Sequence, residues 1–157
     1  MRVFAIDPGP VRSAYVGIDD CGRLHIFAHG KLGNHVVLEM VDAWSQSQAV
    51  AIERVRAQGK KPVGNETFET AEWSGRFFEA TNGRPFWITR IAAVRHVVGA
   101  DLGTANADSL VRRALIERFG PKGTKKQPGP TYDIANDEWQ ALAVAVTLYD
   151  QLKGGTK

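Results

Sequence analysis

Residues 1–9 read MRVFAIDPG. Four apolar residues, Val3 to Ile6, stop at an aspartate, and Pro8-Gly9 turns the chain immediately afterwards. A short apolar run bounded by turn residues is the pattern of a strand buried on both faces. Asp7 is therefore expected at the end of such a strand, its carboxylate left at the sheet edge as the backbone swings away. Residues 13–18 and 24–29 read as second and third strands joined through Asp20-Cys21-Gly22, a hairpin-type turn. Three strands linked by short turns predict an antiparallel meander.

The hydrophobic period then changes. Residues 34–44 place Val37, Met40, Val41 and Trp44 on one helical stripe, with Asn34 as the N-cap. Residues 49–52 form a second compact apolar run, closing on Glu53, and read as a fully buried fourth strand. Residues 57–65, with Gly and Pro breakers and two lysines, are expected as a loop. Helical spacing returns over 66–80 through Phe68, Ala71 and Phe78. Residues 85–89 suggest a fifth strand and 91–98 a short helix. An amphipathic helix over 107–119 carries Leu110, Val111, Ala114 and Leu115 and is stopped by Gly120-Pro121. The segment 120–130 has three Lys, three Gly and three Pro with no acid, which predicts a basic loop. An apolar helix over 137–152 follows, with Ala141, Leu142, Val144, Ala145 and Leu148 against the sheet. This order predicts an α/β fold. The sheet is mixed and five-stranded, three antiparallel strands then parallel ones, with helices on both faces.

At 157 residues the chain has the length of one domain, and residues 1–157 are read as one. Its 43% apolar and 24% charged residues exclude wholesale disorder. The single cysteine, Cys21, excludes a disulfide framework or a multi-cysteine metal centre. His25, His29, His35 and His96 lack ligand spacing with one another. No apolar stretch reaches the ~20 residues of a membrane span, and the opening run is too short for a signal peptide. A cytoplasmic protein is expected. Charge is unevenly spread: residues 54–126 carry 14 Lys and Arg against 7 Asp and Glu, and the remainder 6 against 10. A basic middle between acidic ends suits a polyanion worked on by carboxylates.

Three acids stand where polar residues are hard to place structurally. Asp7 and Glu53 each close an apolar strand, and Asp137 opens the most apolar helix. If the first and fourth strands are neighbours, Asp7 and Glu53 lie side by side. Like charges so close stay ionised only with a cation between them, and oxygen ligands select Mg²⁺ or Mn²⁺. Taken singly, each has a plainer reading: a turn former at Asp7, an ion pair of Glu53 with Arg54, Arg56 or Arg90, a helix cap at Asp137.

MRVFAIDPG, AIERV and NDEWQALAVAV, in that order, resemble the RuvC-type Holliday junction resolvases. VGNETFETAEWSGRF and KKQPGPTY resemble their bacteriophage-encoded branch. The resemblance implies a ribonuclease H-like fold and a homodimer in the cytosol of a bacterial host. It also implies paired nicking of four-way DNA junctions with two Mg²⁺ or Mn²⁺ ions per site. Asp7 matches the first catalytic acid, Glu53 the second and Asp137 the first metal-binding position of the last helix. The acid three residues further on is here Gln140, so its amide oxygen, or Glu138, is left to complete the second metal site. An aromatic expected three residues after Glu53 is Arg56, which can stack or grip phosphate itself or leave stacking to Phe68 or Trp73. A catalytic-side lysine is missing from residues 103–108, leaving Arg95 or the lysines of the 122–126 segment to supply positive charge. DNA contact is expected from Arg54, Arg56, Lys60, Lys61, Arg76, Lys122, Lys125 and Lys126. Two alternatives are a broader branched-DNA endonuclease and a junction binder that does not cleave.

Overall fold

The computed structural model describes residues 1–56, 63–99 and 107–154. Strands β1 (Arg2–Asp7), β2 (Arg12–Asp20) and β3 (Leu24–Gly33) make the meander, and α1 (Asn34–Ser45) leads to β4 (Ala49–Glu53). Then come α2 (Asn65–Ala80), β5 (Phe86–Ile88), α3 (Arg90–Val98), α4 (Ala107–Phe119) and α5 (Glu138–Gly154). The sheet order is β3-β2-β1-β4-β5. β1–β2 and β2–β3 are antiparallel, while β1–β4 and β4–β5 are parallel. The expected mixed sheet is present.

Alternation along the central strands divides the core in two. Val3 and Ala5 of β1 and Ala51 of β4 face α3, α4 and α5, whereas Phe4, Ile6, Val50 and Ile52 face α1 and α2. The sheet is thus covered on both faces. α5 is buried at eleven consecutive positions, Trp139 to Tyr149. No amphipathic stripe could do this; the helix lies between the sheet and the α3–α4 pair, so every side finds apolar partners. Ala5, Ala14 and Ala51 on the sheet share this core with Ala141 and Ala145 on the helix. Small residues on both sides allow close approach. Truncating Leu142 or Leu148 here would cost ~2–5 kcal/mol.

Four local expectations change. β3 continues to Gly33, because Lys31 and Gly33 still pair with Ala14 and Arg12 of β2. Gly33 is the N-cap of α1. Asn34 is instead buried, its side chain spent on the turn after β1 and unavailable to cap its own helix. On α2 the buried positions are Ser74 and Phe77; Phe68 and Ala71 point to solvent. Lastly, α5 begins at Glu138, and Asp137 just precedes it, its carbonyl accepting the Ala141 N–H at 3.0 Å.

Candidate active site

Strand periodicity places the acids. Position 7 follows 3 and 5, and position 53 follows 51, so Asp7 and Glu53 project from the α5 face of the sheet. β1 and β4 run in register up to the Ile6–Ile52 pair, which puts the two acids side by side one residue later. The turn behind Asp7 is fastened from three sides. Gly9 N–H donates to Ser13 Oγ at 3.2 Å, Ser13 Oγ donates to Asn34 Oδ1 at 2.7 Å, and Asn34 Nδ2 donates to the Gly9 carbonyl at 2.9 Å. A side chain at Gly9 would meet the Arg12 carbonyl oxygen at 2.3 Å, so only glycine closes this turn.

The N-terminal end of α5 completes the cluster. Burial raises the Asp7 carboxyl to about 8, helped by Glu53 and Asp137 and opposed by Arg90 and Lys31. Burial likewise raises Glu53 to about 7; Arg90 opposes this, while Asp137 and Asp108 add to it. Both side chains keep some surface open to solvent, yet the packed protein makes lost hydration the largest influence on each. The three acids singled out from sequence are therefore electrostatic neighbours.

Two further acids are at hand. Asp108, in the first turn of α4, accepts from Arg90 at 2.8 Å and from Gln140 Nε2 at 3.1 Å. Glu138 is tied to His29 at 2.7 Å. Asp137 forms an ion pair with Lys31. His29 and Lys31 lie opposite Val16 and Ala14 of β2, residues of the α5-facing core, which is why they reach the start of that helix. Sequence reasoning missed Lys31 and Asp108 at the site, and named Arg90 only as a possible ion-pair partner of Glu53. The only signal for Lys31 was the strand pairing that extends β3, and none marked Asp108.

Among the described residues, no three Asp, Glu, His or Cys side chains are already gathered to chelate an ion; Asp137 and Glu138 are turned to their basic partners. The donors nonetheless fit one. Of the three buried side-chain oxygens without a hydrogen-bond partner among the described residues, two are here, Glu53 Oε2 and Gln140 Oε1. Oxygens left unsatisfied beside mutually repelling carboxyls suit a hard divalent cation. An open cleft of about 650 Å³ runs past Asp137 and Gln140, and Arg90, Arg112 and Lys122 line it with positive charge.

No protein-family profile and no curated protein sequence matches the chain. Solved structures do. Thermus thermophilus RuvC in complex with Holliday junction substrate has a TM-score of 0.65, at 16% identity over 99% of this chain and 97% of that one. The chain has the RuvC-type resolvase fold. A second Thermus thermophilus RuvC structure has a TM-score of 0.58 at 15% identity, covering 99% of this chain and 98% of that one. Fowlpox virus resolvase in complex with Holliday junction DNA has 0.57 at 13% identity, covering 97% and 99%.

On this RuvC-type frame the expected DNA contacts fall just after β4, on α2 and α3, and in the segment between α4 and α5. Arg54 follows Glu53 and lies over the Trp87 ring at 5.9 Å; Trp87 stacks on Phe78. Arg76 lies over Trp73 at 4.6 Å. Phe68 is 60% exposed, far more than a core residue. Arg56, Arg95, Lys125 and Lys126 are exposed, while Lys122 is partly covered at the cleft. Lys60 and Lys61 lie outside the described residues. No helix among the described residues is long and apolar enough to cross a membrane.

Proposed function

We propose that this chain is a Holliday junction resolvase, a divalent-metal-dependent endonuclease that cuts four-way DNA junctions with paired symmetric nicks. The carrying observation is the meeting of Asp7 and Glu53 with the start of α5, where two buried oxygens await a partner. The fold supports it, being shared with two resolvases solved in complex with junction DNA.

Asp7, Glu53 and Asp137 would hold Mg²⁺ or Mn²⁺, two ions per site, with the Gln140 amide oxygen as a neutral ligand. Bound there, such ions would supply a water of lowered pKa as nucleophile and would offset charge on the departing 3′-oxygen. The chain's own residues do the rest. The Gly9–Ser13–Asn34 network fixes Asp7 at its strand end, and Arg90, Arg112 and Lys122 draw the DNA backbone along the cleft. Lys31 neutralises Asp137 while no cation is bound. Products carry a 5′-phosphate and a 3′-hydroxyl. Two-fold pairing of nicks follows from a homodimer, which sets two such sites on opposed strands of a two-fold junction.

A panel of four-way junction, replication fork, flap and linear duplex at one salt concentration with Mn²⁺ tests the substrate. Symmetric nicking of the junction well above the others supports the proposal. Equal cutting of all branched forms favours the broader branched-DNA nuclease, and binding without cutting favours a junction binder.

A further inference from the structure

A glutamine amide can turn either end toward a cation, and only its oxygen can bind one. At Gln140 the choice is made by Asp108. An ionised carboxylate only accepts hydrogen bonds, so it must face the amide NH₂, and Asp108 Oδ1 receives Gln140 Nε2 at 3.1 Å. The amide is planar. Fixing its nitrogen on Asp108 turns Oε1 to the opposite side, where that oxygen is buried and unpartnered.

Asp108 is itself held. Arg90 NH2 donates to the same Oδ1 at 2.8 Å. Arg90 opens α3, Asp108 lies in the first turn of α4 and Gln140 in the first turn of α5, so the chain of contacts joins three helix starts around one cleft. The Asp108 side chain is 75% exposed, in contrast to the buried amide it grips.

We infer that Asp108 is a positioning residue whose carboxylate orients the Gln140 amide so that Oε1 faces the divalent cation of the candidate site. The inference rests on the metal-dependent reading of that site. It explains how a neutral side chain serves at a cation site: one acidic neighbour outside the ligand set consumes the amide's donor end and leaves the acceptor end free.

Mn²⁺ binding to the full chain without DNA, followed by calorimetry and by electron paramagnetic resonance, tests it. Asp108→Ala is expected to weaken Mn²⁺ about tenfold, the usual scale for groups that orient metal ligands. Asp108→Asn keeps a carbonyl oxygen to accept the same bond and should bind within about threefold of the parent chain. In a Gln140→Ala background, adding Asp108→Ala should cost no more than about twofold further, since the residue it positions is gone. Unchanged affinity in Asp108→Ala overturns the inference while leaving the metal site standing. So does an additive loss in the double variant, or Asp108→Asn as weak as Asp108→Ala, either of which assigns Asp108 a charge effect. A parent chain that binds no Mn²⁺ defeats the metal reading itself and this inference with it.

Discussion

Asp7 and Glu53 stand on adjacent parallel strands one residue beyond the Ile6–Ile52 pair, on the face that α5 covers. Burial keeps protons on them far above the ordinary carboxylate range, to about 8 at Asp7, where Glu53 and Asp137 add to it, and to about 7 at Glu53, where Asp137 and Asp108 do. Two acids so placed weaken the fold that carries them unless a cation joins them.

This has a measurable sign. An unfolded aspartate loses its proton near 4, while folded Asp7 keeps its own up to about 8. Between those values the folded state binds more protons, so stability of the metal-free protein falls as pH rises and levels off above about 8. Asp7→Asn should remove much of that slope and raise stability at pH 8 by roughly 1–3 kcal/mol in EDTA. Urea unfolding of both proteins at pH 5 and pH 8 checks it. A variant less stable than the parent at pH 8 contradicts it.

The turn behind Asp7 depends on one amide. Asn34→Ala deletes one buried and one partly buried hydrogen bond and leaves the Gly9 carbonyl and Ser13 hydroxyl without their Asn34 partner. The expected cost is ~2–3 kcal/mol. Because Asp7 is then loosely held, cleavage should fall further than the population of folded protein explains. Unfolding curves and turnover measured on the same preparation separate the two.

Glu138 and Asp137 are neighbours in sequence with different duties. Glu138 is bound to His29, whereas the charge of Asp137 acts on Asp7 and Glu53. Asp137→Asn is expected to lower junction cleavage at least a hundredfold, and Glu138→Gln by less than tenfold, in time courses with saturating Mg²⁺. Equal losses would make Glu138 a ligand.

Much of this was legible in the residues because it is strand and turn chemistry. Val3–Ile6 closing on Asp7 and Val50–Ile52 closing on Glu53 announce buried strands with acids at their ends, and period-2 alternation sets both on one face. The apolar run of α5 likewise announces a central helix. What stayed hidden depends on pairing across the fold. Lys31 reaches Asp137 only because β3 pairs with β2 as far as Gly33. Asn34 looks like a cap until its buried partners are known. Asp108 comes to Gln140 only through the packing of α4 on α5. The face of α2 was misjudged for a related reason. Phe68 is apolar, yet it stays 60% exposed, and Ser74 is buried with its hydroxyl satisfied by the Thr70 carbonyl.

The basic segment before α5 should bind by charge. Phosphate contacts release counterions, so each one lost flattens the dependence of log affinity on log salt by about 0.9. Replacing Lys122, Lys125 and Lys126 together by Ala is expected to reduce that slope by about 2–3 and weaken all DNA forms alike. Junction titrations between 50 and 200 mM salt, a range where such losses are large, check it. An unchanged slope would place the DNA elsewhere.

The most direct test compares the parent chain with Asp7→Asn on one labelled four-way junction, in Mg²⁺, Mn²⁺ and EDTA, scoring binding and cleavage in the same tubes. The expected result is paired nicks from the parent chain with either metal and none in EDTA, and undiminished binding without cleavage from Asp7→Asn. Nicking that persists in EDTA, or an Asp7→Asn protein that cuts as fast as the parent in saturating Mg²⁺, would contradict it.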